Sequence, residues 1–498
     1  MQPDTLKRYG AALHRSWFFN WRGDLIAGMV VALALIPEAI AFSVIAGVDP
    51  ALGLYASFCM AVVIAFTGGR PGMISAATGA MALVMITLVA EHGVEYLFAA
   101  TILTGVLQIV FGWLRLARYM MFIPRTVMQG FVNALAILIF LAQIPHFVGH
   151  GIPTYVMVAA GLAILYLFPY INRAIPPALV AIVALTAAGY FLGNPFNSVG
   201  DMGDLPSGMP MFGLPTVPFT LETLRIILPT AMALTIVGLL ESLLTASIVD
   251  DLTDTPSKKN RECNGQGVGN IVCGLFGGMA SCAMIGQSII NVKSGGRGRL
   301  SSLAAGIYLL FFILVLGDLV SMIPMPALVS VMIMVSIGTF DWSTFSMLRK
   351  MPRSDAFVLI VTVVTVVVTH DLSKGVFAGV LLSAVFFVRK LARQIEVTAR
   401  DSDDGGHRTY DVRGVLFFVA VDNFLAGFDY GAGVPRVTID LTHATLWDSS
   451  AVGAVDRVVG KLRRNGVEVA VRHPEGQGAH LMDELSAYDE PGAKSVGH

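Results

Sequence analysis

The amino-acid sequence predicts an α-helical polytopic membrane protein of 14 spans, built as two inverted seven-span repeats and followed by a small C-terminal α/β domain. Three observations predict it. Of the 498 residues, 55% are hydrophobic and 13% charged, whereas a soluble protein covers its surface with about 25% charged residues. Lys and Arg then recur along the chain with the alternation that spanning helices require. Finally, one long polar break divides the apolar runs into two sets of seven. The charges nearly cancel, 33 basic against 34 acidic, so no global field points to nucleic acid. The same composition argues against a soluble enzyme and against a fibrous protein.

The predicted spans are 24–46, 51–68, 75–90, 96–114, 122–144, 154–170, 176–192, 222–247, 265–277, 281–292, 300–316, 325–345, 355–369 and 373–390. A crossing helix needs about 20 apolar residues. Segments 265–277 and 281–292 are too short to cross alone, as is the helical part of 75–90, so these glycine-rich stretches read as discontinuous helices. With a cytoplasmic N-terminus, the inner connections hold Arg70, then Arg115, Arg118 and Arg125, then Arg173. They continue with Lys258, Lys259 and Arg261, then Lys293, Arg297 and Arg299, then Arg349, Lys350 and Arg353, and finally Arg389, Lys390 and Arg393. Residues 174–224 contain no Lys or Arg, and Lys374 is the one clear outer cation. One missed or extra span would invert every later loop and destroy this pattern.

The polar break is 193–219. Seven spans on each side force the halves into opposite orientations, the arrangement of inverted-repeat transporters. The boundaries expected are a cytoplasmic segment 1–23, a transmembrane domain 24–394 (repeat one about 24–193, repeat two about 221–394), a linker 395–408 and a cytoplasmic domain 409–498. Residues 1–23 are polar and aromatic, unlike a cleaved signal. In the last domain, Val415–Ala420, Val437–Leu441 and Val467–Val471 read as strands and Ser450–Arg464 as an amphipathic helix, an alternation typical of a small α/β domain. The tail 485–498 is polar and is expected to fray.

Carboxyl groups within the spans are the first functional candidates, because a buried charge in a membrane is expensive. Glu38 follows Pro37, where the first helix is expected to bend or unwind. Glu241 has Thr245 one turn away on the same face, a pair that could ligate a cation or form a hydrogen bond. A purely structural bond between helices is the alternative for each Glu. Asp24, Asp318 and Asp341 lie near span ends and are expected to be solvated there.

Helices starting near Thr78 and Met284 could aim their free N–H groups and positive dipole ends at a common midplane point, where an anion binds well. Neither Ser75–Ala80 nor Ala283–Gln287 contains Lys or Arg, so dipoles and hydrogen bonds would do the holding. The alternative is that the glycines only permit tight helix packing. Cys59, Cys263, Cys273 and Cys282 show neither a C-x-x-C pair nor zinc spacing, and read as small core residues; no metal and no cofactor are implied. Neither H-E-x-x-H nor G-x-S-x-G occurs, which argues against an intramembrane enzyme. Asp448-Ser449-Ser450 joins a strand to a helix and reads either as an N-cap or as a site with Ser449 phosphorylated.

Several motifs resemble one family. Pro37-Glu38-Ala39-Ile40-Ala41-Phe42 with Gly47-Val48-Asp49-Pro50-Ala51-Leu52-Gly53-Leu54-Tyr55 is similar to the opening of the SulP anion transporters, the sulfate permeases and their animal relatives. Cys282-Ala283-Met284-Ile285-Gly286-Gln287 through Asn291-Val292-Lys293-Ser294-Gly295-Gly296-Arg297 resembles the tenth span of bacterial members. Val437-Thr438-Ile439-Asp440-Leu441 with Asp448-Ser449-Ser450 resembles a STAS domain, the module shared with anti-sigma-factor antagonists.

The resemblance implies a core and a gate domain, an anion site between the third and tenth spans, a homodimer and an elevator-like movement. Carried over by motif, Glu38, Phe42, Ala77, Thr78, Gly79, Met284, Ile285, Gly286, Gln287, Glu241 and Thr245 surround the substrate; Glu241 with Thr245 is the expected coupling-ion site, and Glu38 is a second coupling candidate. Two positions depart from the family pattern: many members carry Gln in place of Glu38 and Arg in place of Gln287, so this site is more negative. That favours a cation travelling with the anion. The expected function is a multi-pass inner-membrane symporter moving a dicarboxylate, bicarbonate or sulfate with protons, both termini being cytoplasmic. Sodium coupling through Glu241 and Thr245, anion exchange, and a membrane-tethered regulator acting through the STAS domain are the alternatives.

Overall fold

The computed structural model describes residues 17–172, 175–193, 195–203, 205, 208–402, 406–431, 433–473 and 477–487. Residues 1–16 of the N-terminal segment, Arg173, 403–405 of the linker and 488–498 of the tail lie outside the described residues.

Every predicted span contains a helix. In chain order these are α1 (Trp21–Ala46), α2 (Pro50–Thr67), α3 (Gly79–His92), α4 (Val94–Trp113), α5 (Arg125–Phe147), α6 (Ile152–Ile171) and α7 (Pro177–Phe191). The second half holds α8 (Leu221–Thr253), α9 (Lys259–Leu275), α10 (Ile285–Lys293), α11 (Arg299–Ser321), α12 (Met325–Thr339, continued by Ser343–Leu348), α13 (Arg353–Thr369) and α14 (Leu372–Ala392). Among the described residues, nine helices are long and apolar enough to cross a membrane. The shorter five are α3, α7, α9, α10 and α13.

Packing carries the inverted repeat. Exchanging each span with the one seven positions away converts one set of contacts into another: α4 on α9 becomes α11 on α2, and α1 on α11 becomes α8 on α4. Likewise α3 on α8 becomes α10 on α1, and α5 on α13 becomes α12 on α6. The helices fall into two packed sets, α1–α4 with α8–α11, and α5–α7 with α12 and α13. Their main contacts run through α1 and α3. Glycine sets the closest approach inside the first set. A Cβ on Gly105 would collide with the Gly267 carbonyl oxygen, and one on Gly267 would lie 2.5 Å from that of Gly105. Small residues of this kind let membrane helices meet backbone to backbone.

Three expectations about the spans need correction. The ninth span is a continuous 17-residue helix, not a fragment beginning at 265. Its first turn, Lys259 to Asn264, is too polar to register as apolar, yet Glu262 and Cys263 in it are fully buried. The first helix runs on through Pro37 without unwinding, because neighbouring helices tolerate a missing donor. Asp24 is not solvated but fully buried: its carboxylate accepts from the Arg297 and Gly298 N–H groups at 2.8 and 3.0 Å, capping the approach to α11. Asp318 is exposed at the end of α11, and Asp341 accepts from Ser343 at a helix break.

The connections expected on the inner side meet at one end. Arg70 pairs with Asp250 at 3.2 Å and Lys259 with the same carboxylate at 3.1 Å. Arg299 donates to the Gly68 carbonyl at 2.6 Å, which satisfies the free end of α2.

The C-terminal unit, Leu381–His498, is a separate compact body. Its sheet has the order β3 (Glu396–Asp401), β4 (His407–Leu416), β5 (Arg436–Leu446), β6 (Glu468–Arg472). β3 is antiparallel to β4, and the remaining pairs are parallel. The expected linker 395–408 thus holds a strand, which its charged sequence conceals at the sheet edge. β4 ends at Leu416, where Phe417 to Ala420 turn into α15 (Val421–Ala426), so the strand expected over 415–420 lies mostly upstream. Helix α16 (Ser449–Arg464) covers the sheet with Val452, Val455, Val458, Val459 and Leu462.

Candidate functional site

The third and tenth spans do not begin as helices. Each is preceded by a two-residue strand, β1 (Ser75–Ala76) and β2 (Cys282–Ala283), and the two pair antiparallel with Ser75 opposite Ala283 and Ala76 opposite Cys282. Met284 N–H extends the pairing to the Ile74 carbonyl at 2.9 Å. The expected starts are found: Thr78 is the N-cap of α3 and Met284 that of α10. The ribbon therefore joins the two helix tips across the middle of the first packed set. The N–H groups of Gly79 and Ala80, and of Ile285, Gly286 and Gln287, precede the first intrahelical bonds of their helices. Both macrodipoles present their positive ends here.

Phe42 and Gly79 touch. A Cβ on Gly79 would lie 2.9 Å from the Phe42 ring and 3.0 Å from Ile139 of α5, so the α3 tip sits at the seam between the two helix sets. Ala77 is fully buried, its N–H donating to Ser57 Oγ at 3.1 Å. On the other tip Gly286 is exposed, and a Cβ there would meet nothing within 4 Å. Gln287 is 1% exposed.

Glu241 lies behind the ribbon, 6% exposed. Its Oε2 accepts from Cys282 Sγ at 3.0 Å and from Thr78 Oγ1 at 3.5 Å. The carboxyl group thus touches the segments that lead into both half-helices, one through each partner, and among the described residues it makes no ion pair. Thr245 does not bond this carboxylate: its hydroxyl donates to the Glu241 backbone carbonyl at 2.7 Å. A helical threonine prefers its own i−4 carbonyl, which the one-turn spacing could not reveal. The neighbouring Ser242 accepts from Ala283 N–H at 3.1 Å.

Sequence reasoning missed the scaffold that aligns the ribbon. Glu262, Gln266 and Asn270 recur every four residues along α9 and are fully buried. Glu262 Oε2 accepts from Gly69 and Arg70 N–H at 2.7 and 3.0 Å. Gln266 donates to Ser75 Oγ at 2.8 Å. Asn270 grips Ser281 at both ends, accepting from its N–H at 2.8 Å and donating to its carbonyl at 3.0 Å. It also donates to Gln108 Oε1 at 2.9 Å. The stripe was visible as a polar i, i+4, i+8 face. The four cysteines are free and buried, as expected, and Cys282 in addition binds the carboxylate.

In the C-terminal unit Asp448 is the N-cap of α16: its Oδ1 accepts from Ala451 N–H at 2.9 Å and its Oδ2 from Phe418 N–H at 2.9 Å. Ser449 is exposed at the first turn of that helix. The Thr442 hydroxyl, with Arg472 beside it, holds the Asp440 carboxyl below the usual carboxylate range.

Comparisons with known proteins agree with this architecture. The family described as the sulfate permease family matches residues 21–154 and 150–362, and the STAS domain matches 386–494. The putative sulfate transporter YbaR of Bacillus subtilis is 55% identical over 474 residues, 95% of this chain and 99% of that protein. The solved transmembrane domain of a cyanobacterial bicarbonate transporter, BicA, is 28% identical, with a TM-score of 0.63 over 73% of this chain and 98% of that one. The structure of SLC26A9, at 16% identity and a TM-score of 0.79, covers 97% of this chain and 90% of its own, and shows the shared fold.

Proposed function

The chain belongs to the sulfate permease family, and on that premise we propose that it is a secondary carrier that moves a small anion across the cell membrane by proton symport. The observation that carries the reading is the ribbon-joined pair of helix tips with Glu241 bonded to Thr78 and Cys282, one in each of the segments that lead into them. Unpaired N–H groups and two positive dipole ends attract an anion without a fixed cation. Binding is then weak enough for release. The names of the relatives bracket the cargo as sulfate or bicarbonate, with a dicarboxylate as a third candidate.

Glu241 is the coupling group in this reading. A negative carboxylate so near the tips opposes an arriving anion, and a proton on it removes the opposition, so proton and anion favour each other's binding. Glu38 and Gln287 flank the cargo, with Phe42, Ala77, Thr78 and Gly79 on the α3 side and Met284, Ile285 and Gly286 on the α10 side. The site lies where α3 meets α5, so the first helix set would carry the anion past the second, an elevator-like movement. The connections that cluster around Arg70 and Asp250 would face the cytoplasm, as would both termini, and the chain would act as a homodimer with Ser449 available for phosphorylation.

Reconstituted protein tests the reading. An inward-directed proton gradient should drive uptake of at least one of bicarbonate, sulfate or a dicarboxylate, and Glu241→Gln should transport without responding to that gradient. Uptake that stops when choline replaces sodium, and that ignores the proton gradient, replaces proton coupling with sodium coupling. If no candidate anion moves, the carrier reading fails.

A further inference from the structure

We propose that one end of the C-terminal unit is a lipid-docking surface: Phe418 and Trp447 enter the headgroup layer around the exit of α14, and basic side chains beside them hold anionic lipid. The inference needs the last span to cross the bilayer and is independent of the cargo and its coupling. The unit begins at Leu381, so it includes the final turns of α14, a helix long and apolar enough to cross a membrane. Ala392 and Ile395 belong to the core of the unit, and Val388 and Leu391 pack against it. Asn423 of α15 donates to the Ala392 carbonyl at 3.0 Å, which satisfies an acceptor at the helix end. The span is therefore joined to the domain by packed contacts and not by a loose tether. From this junction β3 sets out with Glu396 opposite Arg413, and β4 runs antiparallel to it, so β4 returns to the junction at Leu416. Its parallel neighbour β5 ends at the same place, where Trp447 N–H donates to the Leu416 carbonyl at 3.1 Å.

Aromatic side chains cluster at this end and face outward. Phe417 is buried, and the rings of Phe418 and Trp447 lie 5.6 and 5.8 Å from it. Phe418 is 65% exposed, Trp447 55% and the adjoining Val419 38%. Neighbouring apolar side chains left open in this way mark a surface that something covers. Charge and position identify the cover. Arg389 and Lys390 are exposed in the last turn of α14, and Arg393 is exposed just beyond it. The exposed acids of the junction, Glu396 and Asp422, do not balance them. Asp448, next to Trp447, is turned inward, with both oxygens accepting backbone N–H groups. Cations at the end of a span attract anionic lipid, and an amphipathic Trp ring settles at headgroup level. The bilayer that α14 leaves is the surface that meets both requirements.

A nitroxide label on the Val419→Cys variant of the full chain reads the docking, because all four native cysteines are buried and the unmodified chain should take up no label. The protein is placed in nanodiscs of phosphatidylcholine alone or with phosphatidylglycerol added. Relaxation by oxygen, which partitions into lipid, is compared with relaxation by a nickel chelate, which stays in water. Oxygen should dominate, and phosphatidylglycerol should raise the docked fraction relative to the undocked on the order of fivefold for each basic side chain that reaches the surface. Arg389→Gln, Lys390→Gln and Arg393→Gln together should abolish that response to phosphatidylglycerol. Phe418→Ser with Trp447→Ser should return the label to the nickel chelate; both side chains are on the surface, so the core of the unit is untouched. Dominance of the nickel chelate in both kinds of nanodisc overturns the inference without any further variant. A label shielded from both reagents overturns it too, since a protein surface, such as a second copy of the chain, would then cover the rings. Docking that ignores phosphatidylglycerol removes the role given to the three cations and overturns the proposal as stated.

Discussion

Asn270 is the residue on which the alignment of the two helix tips should depend most. Replacing it with Leu keeps a similar volume but deletes three hydrogen bonds: the two to Ser281 at 2.8 and 3.0 Å and the one to Gln108 at 2.9 Å. The Ser281 N–H and carbonyl are then buried without partners, at about 1–3 kcal/mol each, so the cost is about 2–6 kcal/mol. Ser57→Ala provides the scale, since it strands only the Ala77 N–H and should cost about 1–3 kcal/mol. Thermal unfolding in detergent should rank Asn270→Leu below Ser57→Ala, and both below the unmodified protein. Release of β2 should also move the α10 tip, and a misplacement of about 1 Å in a preorganised site costs on the order of a hundredfold. Apparent anion affinity in proteoliposomes should fall accordingly. The reasoning is refuted if Asn270→Leu is the more stable of the two variants, or if it transports with an unaltered KM.

Two further outcomes are expected. Gly267→Ala should destabilise the protein by about 1–3 kcal/mol, because its methyl group would lie 2.5 Å from the Gly105 carbonyl oxygen, whereas Gly317→Ala, with nothing within 4 Å, should melt like the parent. In the C-terminal unit the depressed Asp440 carboxyl contributes stability that is complete above its unfolded value of about 3.9 and is lost as pH falls through the folded value; hydrogen exchange of β5 should show that acid limb, and Asp440→Asn should flatten it.

Much of this fold could be read from the chain because membrane burial writes itself in long apolar runs. The starts at Thr78 and Met284 were legible for a different reason: glycine-rich turns followed by small residues mark where backbone must approach backbone. The same signal failed for α9, whose first turn is polar in composition yet buried, since Glu262 there bonds loop N–H groups and not water. Glu241 was found as an acidic residue in an apolar run, but its partners were not. Spacing along one helix pointed to Thr245, while the contacts that form, to Cys282 and Thr78, come from residues 41 and 163 positions away. Strand β3 was hidden because an edge strand with charged side chains looks like a linker.

The two-residue ribbon also makes the halves of the transporter mutually dependent for folding. Each repeat contributes one edge, Ser75-Ala76 or Cys282-Ala283, and neither edge has a mate within its own half. Hydrocarbon leaves an unmatched edge no water to turn to. A chain severed in the extramembrane stretch between α7 and α8 should therefore regain its central crossing only by complementation, when both fragments share a bilayer.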